Sequence, residues 1–361
     1  MSRHTPPKPS PASFPRRPWL PVYAVAALTL ATAATAITLS AAHGRASSGE
    51  ATVLAHARLV ADTMTEIKPG TSLSSVHPAA GRTYAFARGA TYTGTLSITA
   101  SNVTIRNYGT GRYPVFSRST EGNDVQVSGS NDRVSNLRLI GHGYQAVPGC
   151  GQAKTADYEV GIDITGSHDT VHAVLAYGNL YAGAYVERAG SYATISGSNF
   201  TGVNALDPGN LGSGAFGVLL WGDHNTIDGD IFDNQSTCSP DYGTDGSGVE
   251  IYHGSYNLIT RNTGRNDSDF TELGGAGATG NSYTDNSFAA PGQFLVTRGS
   301  GDTSDGPVYK TTLTGNVAHG SVVSYDWRSG DGTLLTMKGN HVASLSTDGG
   351  YVNAGGNVIG F

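Results

Sequence analysis

Val218-Leu-Leu-Trp-Gly-Asp-His-Asn-Thr-Ile227 and Val249-Glu-Ile-Tyr-His-Gly-Ser-Tyr-Asn-Leu-Ile259 share one pattern: an alternating strand, a polar turn and a second, β-branched strand. The pattern recurs in residues 96–105, 125–134, 162–171 and 185–195. Copies lie roughly 22 to 37 residues apart, which is typical of a β-solenoid with one coil per copy. Equivalent residues of successive coils stack about 4.8 Å apart, so inward Val, Ile and Leu form one continuous core. The sequence predicts an all-β solenoid of about 9-10 coils over residues 81–361.

Composition supports this class and excludes others. The 361 residues include 50 glycines, and only 14% of the residues are charged, which favours tight turns and strands over surface helices. The formal net charge is -6, so the chain has no basic surface that would indicate a nucleic-acid partner.

The first 50 residues are typical of an export segment. Residues 1–18 are basic with no acidic residue, and residues 19–42 carry no charge. This pattern predicts a signal peptide cleaved before His43. About 20 apolar residues also suffice for a membrane-anchor helix, so both alternatives stay open. Residues 43–50 are expected to form a linker, and either alternative makes the remaining chain extracellular, secreted or anchored to the outer face of the membrane.

Residues 51–80 are expected to lead into the solenoid. Val53, Ala57, Val60, Met64 and Ile67 fall on one helical face. The spacing predicts a short amphipathic helix that caps the first open coil.

Polar residues recur in the turns. Asparagines that follow the second strand are expected to adopt left-handed backbone and to bond along the stack; they are Asn107, Asn136, Asn262, Asn286, Asn316 and Asn340. Histidines recur in the first turn, and a stacked polar turn is the favoured interpretation of His168, His224 and His253. We interpret residues 266–269 as a turn rather than a Ca²⁺ site.

The opening coils carry a resemblance to a known superfamily. Gly81-Arg-Thr-Tyr-Ala-Phe-Ala-Arg-Gly-Ala-Thr-Tyr-Thr-Gly94 precedes Val103-Thr-Ile-Arg-Asn-Tyr-Gly-Thr-Gly-Arg-Tyr-Pro-Val115. Over roughly residues 80–361 the chain resembles the pectate-lyase-like superfamily of right-handed, single-stranded parallel β-helix proteins. The resemblance implies that the chain acts on carbohydrate, and its motifs specify architecture more than chemistry.

A column of side chains is predicted to point to solvent from the first strand of each coil, because side chains alternate along a strand. Its members are Asp163, Tyr185, Leu219, Glu250 and Glu272, and Glu187, Trp221 and Tyr252 lie one step further along. Stacked carboxylates tend to acquire different pKa values, as acid and base catalysis requires. We therefore predict Glu250 and Glu272 as the catalytic pair with Asp163 in support. Solvated strand residues or a Ca²⁺ site are the alternatives.

Three long inserts precede first strands and are expected to form a wall over this column: residues 141–160, 202–214 and 235–248. Aromatic candidates for stacking on sugars are Tyr144, Tyr158, Trp221, Tyr242 and Tyr252. Cys150 and Cys238 lie in the first and third inserts, and a disulfide and two buried thiols fit the sequence equally well.

Three functions remain open. The first is glycoside hydrolysis by the carboxyl pair, with Tyr185, Glu187, Trp221, Tyr252 and Arg298 expected to bind substrate. The second is a polysaccharide lyase or uronate epimerase using Arg298 or Lys154; Arg188 and Arg328 are also available, and Ca²⁺ is the one cofactor that stays open. The third is a glycan-binding surface protein without catalysis. The expected partner is a polysaccharide or cell-wall glycan, the membrane is reached only through the N-terminal segment, and the protein is expected to be a monomer without a structural metal.

Overall fold

The computed structural model describes residues 64–118, 120, 122–141, 145–147, 150, 154–155, 159–178, 180–207, 210–240, 243–290, 292–297, 307–324, 335–347 and 351–360. These residues all belong to one compact unit, Arg58–Phe361. The predicted export segment and linker lie outside the described residues. Within the described part, no helix has the length and apolar character needed to cross a membrane.

The described chain consists of short strands and one turn of 3₁₀ helix, Leu73–Ser75. In chain order the strands are β1 (Met64–Ile67), β2 (Thr83–Ala87), β3 (Thr91–Thr93), β4 (Leu96–Ile98), β5 (Thr104–Tyr108), β6 (Val115–Ser117), β7 (Gly122–Val127), β8 (Arg133–Ser135), β9 (Arg138–Gly141), β10 (Gln145–Ala146), β11 (Lys154–Thr155), β12 (Glu159–Ile164), β13 (Thr170–His172), β14 (Leu175–Gly178), β15 (Ala182–Val186), β16 (Thr194–Ser196), β17 (Asn199–Thr201), β18 (Ala205–Asp207), β19 (Asn210–Gly214), β20 (Phe216–Leu220), β21 (Thr226–Asp228), β22 (Ile231–Asp233), β23 (Ser247–Tyr252), β24 (Leu258–Thr260), β25 (Thr263–Arg265), β26 (Asp269–Gly274), β27 (Ser282–Thr284), β28 (Ser287–Phe288), β29 (Gln293–Thr297), β30 (Thr311–Thr314), β31 (Val317–Ser324), β32 (Leu335–Lys338), β33 (His341–Thr347), β34 (Val352–Asn353) and β35 (Val358–Ile359).

Each coil contributes a front strand, a side strand and a back strand, in that order along the chain. One coil, for example, runs through β23, β24 and β25 before β26 begins the next. Side strands form a 12-stranded parallel sheet from β1 to β34. Front and back strands belong to one 19-stranded sheet, because β31 and β33 run through both positions. Front, side and back strands pair in parallel with their equivalents in the next coil, which is the arrangement of a parallel β-helix. Strands β10, β11, β18 and β19 lie outside the coils and form a separate four-stranded sheet.

The core lies inside the coils and is built from stacked apolar side chains. Phe200 and Phe232 stack with their ring centroids 5.4 Å apart. These rings require glycine on the facing front strands, since a Cβ on Gly183 or Gly217 would lie 2.4 or 2.5 Å from a ring carbon. The repeated glycines of the front strands therefore follow from aromatic packing inside the helix.

A ladder of buried amides runs between the side and back strands. Each rung is the same contact, in which a backbone N–H and the side-chain Nδ2 of one asparagine donate to Oδ1 of the next; it joins Asn262, Asn286, Asn316, Asn340 and Asn357 at 2.8–3.1 Å. The predicted bonding along the stack is confirmed for these residues, and Asn357 is an additional member.

The predicted backbone conformation is wrong for most of these asparagines. The residue before the ladder position is left-handed instead, with φ of 55° at Arg261 and 54° at Asp285. Asn136, with φ of 59°, occupies that preceding position itself. Its prediction was therefore one residue out of register with the ladder. A left-handed residue turns the chain, and the inward amide that follows then satisfies the buried backbone.

The predicted capping helix is wrong where it can be compared. Residues Met64–Ile67 form strand β1, which pairs in parallel with β2 from Met64↔Thr83 to Ile67↔Phe86. A strand covers the first coil better here because its N–H and C=O groups continue the hydrogen bonding of the side sheet. Val53, Ala57 and Val60 lie outside the described residues.

Candidate functional site

The front face, meaning the outward side of the front strands, carries the predicted column in the predicted register. Asp163 pairs with Tyr185, Tyr185 with Leu219, and Leu219 with Glu250. Glu250 then pairs directly with Glu272 on the next coil. Neighbouring strands lie about 4.8 Å apart, so the two glutamates leave the sheet side by side.

The predicted exposure of this column is wrong for its first half. Asp163, Tyr185 and Leu219 are 6%, 6% and 4% exposed, whereas Glu250 and Glu272 are only half-buried. Tyr185 and Leu219 are covered by an apolar layer in which Ala205, from the second insert, packs with them. Strand alternation specifies which side chains leave the sheet, but it does not specify what covers them.

The described residues of the three inserts pack against one another and, through Ala205, against the front face where the wall was predicted. The first two supply a small sheet in which β10 pairs with β11, β11 with β18 and β18 with β19. Cys150 of the first insert is disulfide-bonded to Cys238 of the third, with the Cα atoms 5.4 Å apart. In the third insert Thr237 and Asp245 exchange two backbone hydrogen bonds of 2.9 and 3.0 Å. The disulfide therefore fixes a short hairpin that ends at Asp245.

Asp245 is a candidate site residue that the sequence did not indicate. Its Oδ2 accepts the N–H of Gly214 at 3.0 Å, and its Oδ1 accepts the N–H of Gly246 at 2.9 Å. Burial and the charge of Glu272 together raise the pKa of Asp245 to about 7, against the lowering effect of the two N–H groups. A carboxyl group that holds a proton near neutral pH thus lies within electrostatic reach of Glu272.

Glu250 is oriented by its own strand. The hydroxyl of Ser247, the first residue of β23, donates to Glu250 Oε2 at 3.0 Å. On the next coil Asp269 aligns with Ser247 and accepts the N–H of Gln293 at 2.9 Å. We call the four carboxyl groups Asp245, Glu250, Asp269 and Glu272 the acid site.

Asp163 does not join the acid site. Three strand steps, about 14 Å, separate it from Glu250 along the column. Its Oδ2 accepts the Asn123 amide at 2.7 Å. Burial and the nearby charge of Glu187 raise the pKa of Asp163 to about 6, against hydrogen bonds from Asn123 and Gln126. Asp163 is therefore a buried carboxyl group in a separate environment from the acid site.

Aromatic side chains flank the acid site. Trp221 lies beside Tyr252 with their ring centroids 5.2 Å apart, and it contacts Tyr185 at 6.4 Å. The Arg188 guanidinium lies 5.6 Å from the centroid of the Trp221 ring. Trp221 and Tyr252 are half-buried, so they offer partly exposed rings one step along the strands from Glu250.

Several other predicted site residues lie outside the part of the chain that the structure describes. Arg298, Arg328, Tyr144, Tyr158 and Tyr242 lie outside the described residues, and only the backbone of Lys154 is described, in β11. Among the described residues, no group of three or more His, Cys, Asp or Glu side chains could hold a metal ion.

The turn at residue 266 and the first-turn histidines make contacts within the coils. Asn266 is left-handed with φ of 58°, and Asp267 accepts the N–H of Gln235 at 2.9 Å, so residues 266–268 form the predicted turn and Asp269 begins β26. His168 and His224 alternate with Tyr192 and Tyr256 in a stacked column with centroids 4.9–5.0 Å apart. His253 differs, because it packs against Trp221 and Tyr252 instead.

Comparison with known proteins shows the fold. An alginate lyase from Paenibacillus sp. strain FPU-7 is similar with a TM-score of 0.57 and 16% identity, over 81% of this chain and 99% of that one. Pectate lyase Pel9A is similar with a TM-score of 0.53 and 18% identity, over 79% and 72%. The GH136 lacto-N-biosidase from Eubacterium ramulus gives 0.52 and 12%, over 80% of this chain and 64% of that one, so this chain spans less than two thirds of its length. No protein-family profile and no curated protein sequence matches the chain. The parallel β-helix predicted from the sequence is confirmed.

Proposed function

We propose that this chain is an exported enzyme that hydrolyses glycosidic bonds of a polysaccharide at the acid site. The observation that carries the proposal is the direct pairing of Glu250 with Glu272 on the front face, against which the second insert packs. Glycoside hydrolysis uses two carboxyl groups, one that protonates the leaving oxygen and one that attacks or activates water. The alginate lyase, the pectate lyase and the lacto-N-biosidase with this fold all act on glycans by name, which is consistent with this class.

The two glutamates have different surroundings, which supports different roles. Glu250 accepts the Ser247 hydroxyl, so its carboxylate is held as a hydrogen-bond acceptor suited to the nucleophile or base. Glu272 lies within electrostatic reach of Asp245, a group that keeps a proton close to neutral pH. We therefore assign the transferred proton to the Asp245–Glu272 pair: Asp245 holds the proton near neutral pH, and Glu272 receives it and passes it to the leaving oxygen.

The rings of Trp221 and Tyr252 support a sugar ligand. Apolar faces of pyranose rings pack on aromatic side chains, and a half-exposed indole beside two carboxyl groups provides such a surface. Arg188, close to the Trp221 ring, is placed to meet a polar or anionic substituent of that sugar. This assigns substrate positioning to the aromatic pair and Arg188.

Export is proposed from chemistry as well as from the N-terminal sequence. A disulfide persists in oxidising compartments and is reduced in the cytosol of most organisms. Cys150–Cys238 joins the first insert to the third. A wall that depends on this bond suits a secreted or surface protein.

The test is turnover of a polysaccharide panel by the exported domain and by Glu250→Gln and Glu272→Gln. General acid and nucleophile losses of this kind cost about 100-fold to 10,000-fold in rate. Asp285→Asn is the matched control, because Asp285 is exposed on a distant turn and its φ of 54° suits asparagine. Unchanged turnover in both glutamine variants would end the hydrolase assignment.

The same panel separates the remaining alternatives. A lyase would release a product that absorbs in the ultraviolet, because elimination creates an unsaturated sugar, and a Ca²⁺-dependent lyase would stop on chelation. A glycan-binding protein without catalysis would retain binding and yield no product from any substrate. A hydrolase yields new reducing ends without ultraviolet absorbance.

A further inference from the structure

A second concave surface lies on the back strands, on a different face of the helix from the acid site. It is a groove of about 450 Å³ lined by β14, β17 and the start of the second insert. This volume lies within the range of small-molecule sites. The lining residues are Arg138, Leu175, Ala176, Tyr177, Gly178, Asn199, Thr201, Gly202 and Asn204.

Polar groups converge on this groove from three coils. Arg138 Nη2 donates to the Tyr177 hydroxyl at 2.5 Å, and its guanidinium carbon lies 5.1 Å from the centroid of the Tyr177 ring. Arg138 aligns with Leu175, and Leu175 with Asn199, so the cation and the amide stand on either side of an apolar floor. Such a floor with polar rims accommodates a ring that has both apolar faces and hydroxyl groups.

The charge of the groove favours an anion. Arg138 is the one ionised side chain among the lining residues, all of which are described. The closest carboxylate along the Tyr177 row, that of Asp233, is already paired with Arg265 at 3.0 Å. An arginine facing apolar and amide groups suits a carboxylate that arrives with its ligand.

We propose that this groove is a second, non-catalytic binding site for a uronate unit of an acidic polysaccharide. Arg138 binds the carboxylate, and the Tyr177 ring and Leu175 contact the sugar face. The inference relies on the proposed function only for the class of ligand, because its contacts are separate from the acid site. A chain held here is tethered close to the enzyme, which raises its local concentration at the front face.

The test is calorimetric titration of the full exported chain carrying Glu250→Gln with trigalacturonate and trimannuronate, and with cellotriose as the neutral probe. We expect saturable binding of at least one uronate trimer that weakens as salt is added, with at least tenfold weaker binding of cellotriose. Arg138→Met should weaken the uronate at least tenfold. Arg133→Met, an exposed arginine on the side sheet of the same coil, should leave its affinity unchanged.

A second variant guards against loss of folding. Tyr177→Phe keeps the ring and removes only the hydroxyl that orients Arg138, so it should weaken the uronate several-fold with an unchanged melting temperature. Equal affinity in the parent and both variants, or no saturable binding of either uronate trimer, overturns the second site. Turnover of the polysaccharide panel by the chain with Glu250 intact is measured separately. Loss of the hydrolase assignment with Arg138-dependent binding intact removes only the proposed function.

Discussion

Asp245 is the residue of the acid site that holds a proton near neutral pH. Its protonation is expected to set the pH dependence of turnover. Burial and the charge of Glu272 raise the pKa of Asp245 to about 7. The Asp245 carboxyl is therefore mostly protonated below pH 7 and mostly ionised above it. If that proton is needed, turnover falls about tenfold for each pH unit above 7.

Asp245→Asn tests this directly, because the amide cannot titrate while its oxygen still accepts one of the two backbone N–H groups. We expect the alkaline limb near pH 7 to disappear from the profile of kcat/KM, with turnover lowered at every pH. Asp285→Asn should keep the parent profile. An unchanged limb in Asp245→Asn would assign that titration to another group.

The raised pKa of Asp230 affects the stability of the fold rather than turnover. It occupies the rung before Asn262 in the amide ladder, is 1% exposed, and accepts the N–H of Ser198 at 2.6 Å. Burial raises its pKa to about 8. Between about pH 4 and pH 8 the folded state therefore binds a proton that the unfolded state releases, so this group makes the fold less stable as pH rises.

Asp230→Asn should remove that dependence. The amide keeps the acceptor oxygen, and its Nδ2 can donate to the preceding coil as that of Asn262 does to Ile227 O at 2.9 Å. We expect the variant to be more stable by about 2 kcal/mol at pH 9 and little changed at pH 4, measured by guanidinium unfolding. A variant less stable than the parent at pH 9 contradicts the ladder role.

Single residues show where sequence reasoning succeeds. The Glu250–Glu272 pairing was predicted because alternation and a repeated turn determine the register. Asp245 was missed because it lies in an insert without periodicity, and its neighbours are distant in sequence. The ladder of first-turn residues, Asn225, Asn257 and Asn281, was also missed, although each Asn directly follows a left-handed residue.

At the scale of elements, the wall over the front face depends on the inserts holding together. Cys238 lies next to Thr237, which bridges Asp245, so the disulfide braces the hairpin that positions the acid site. Cys238→Ser should lower turnover at least tenfold while the far-ultraviolet circular dichroism of the coils stays unchanged. Cys150→Ser should behave alike, since each variant breaks the same bond.

A result in which turnover is lost together with the β signal would mean that the inserts stabilise the whole helix. A result in which both serine variants keep full turnover would remove the bond from the account of the site. Reduction of the parent by a thiol reagent provides the control with no change of sequence. It should reproduce the serine variants.

Elements also explain the errors. The sequence predicted long inserts near the column, yet it placed Tyr185 and Leu219 in solvent because alternation cannot foresee that Ala205 packs onto them. The helical pattern of residues 53–67 contained four residues that pair as β1 with β2, since an open sheet edge offers hydrogen bonds that a helix cannot use. Both errors are cases in which tertiary contacts override local pattern.

For the whole molecule, the repeat specified the architecture and left the chemistry to a few sites. Stacking fixes Val218, Val249 and Thr271 at equivalent inward positions, and it brings outward residues of distant sequence into rows. The front face and the back groove are two such rows, one acidic and walled, the other cationic and open.

The central claim is that a glycosidic bond lies between Glu250 and Glu272, and a crystal structure of Glu272→Gln with a bound oligosaccharide tests it most directly. The account predicts the glycosidic oxygen within hydrogen-bond distance of residue 272, the Glu250 carboxylate near the anomeric carbon or its water, and a sugar ring against Trp221. The distance between the two side chains then gives the stereochemical course, about 5 Å for retention and above about 6.5 Å for inversion. An oligosaccharide that lies only in the back groove, or across the front face with no sugar atom near either glutamate, contradicts the account.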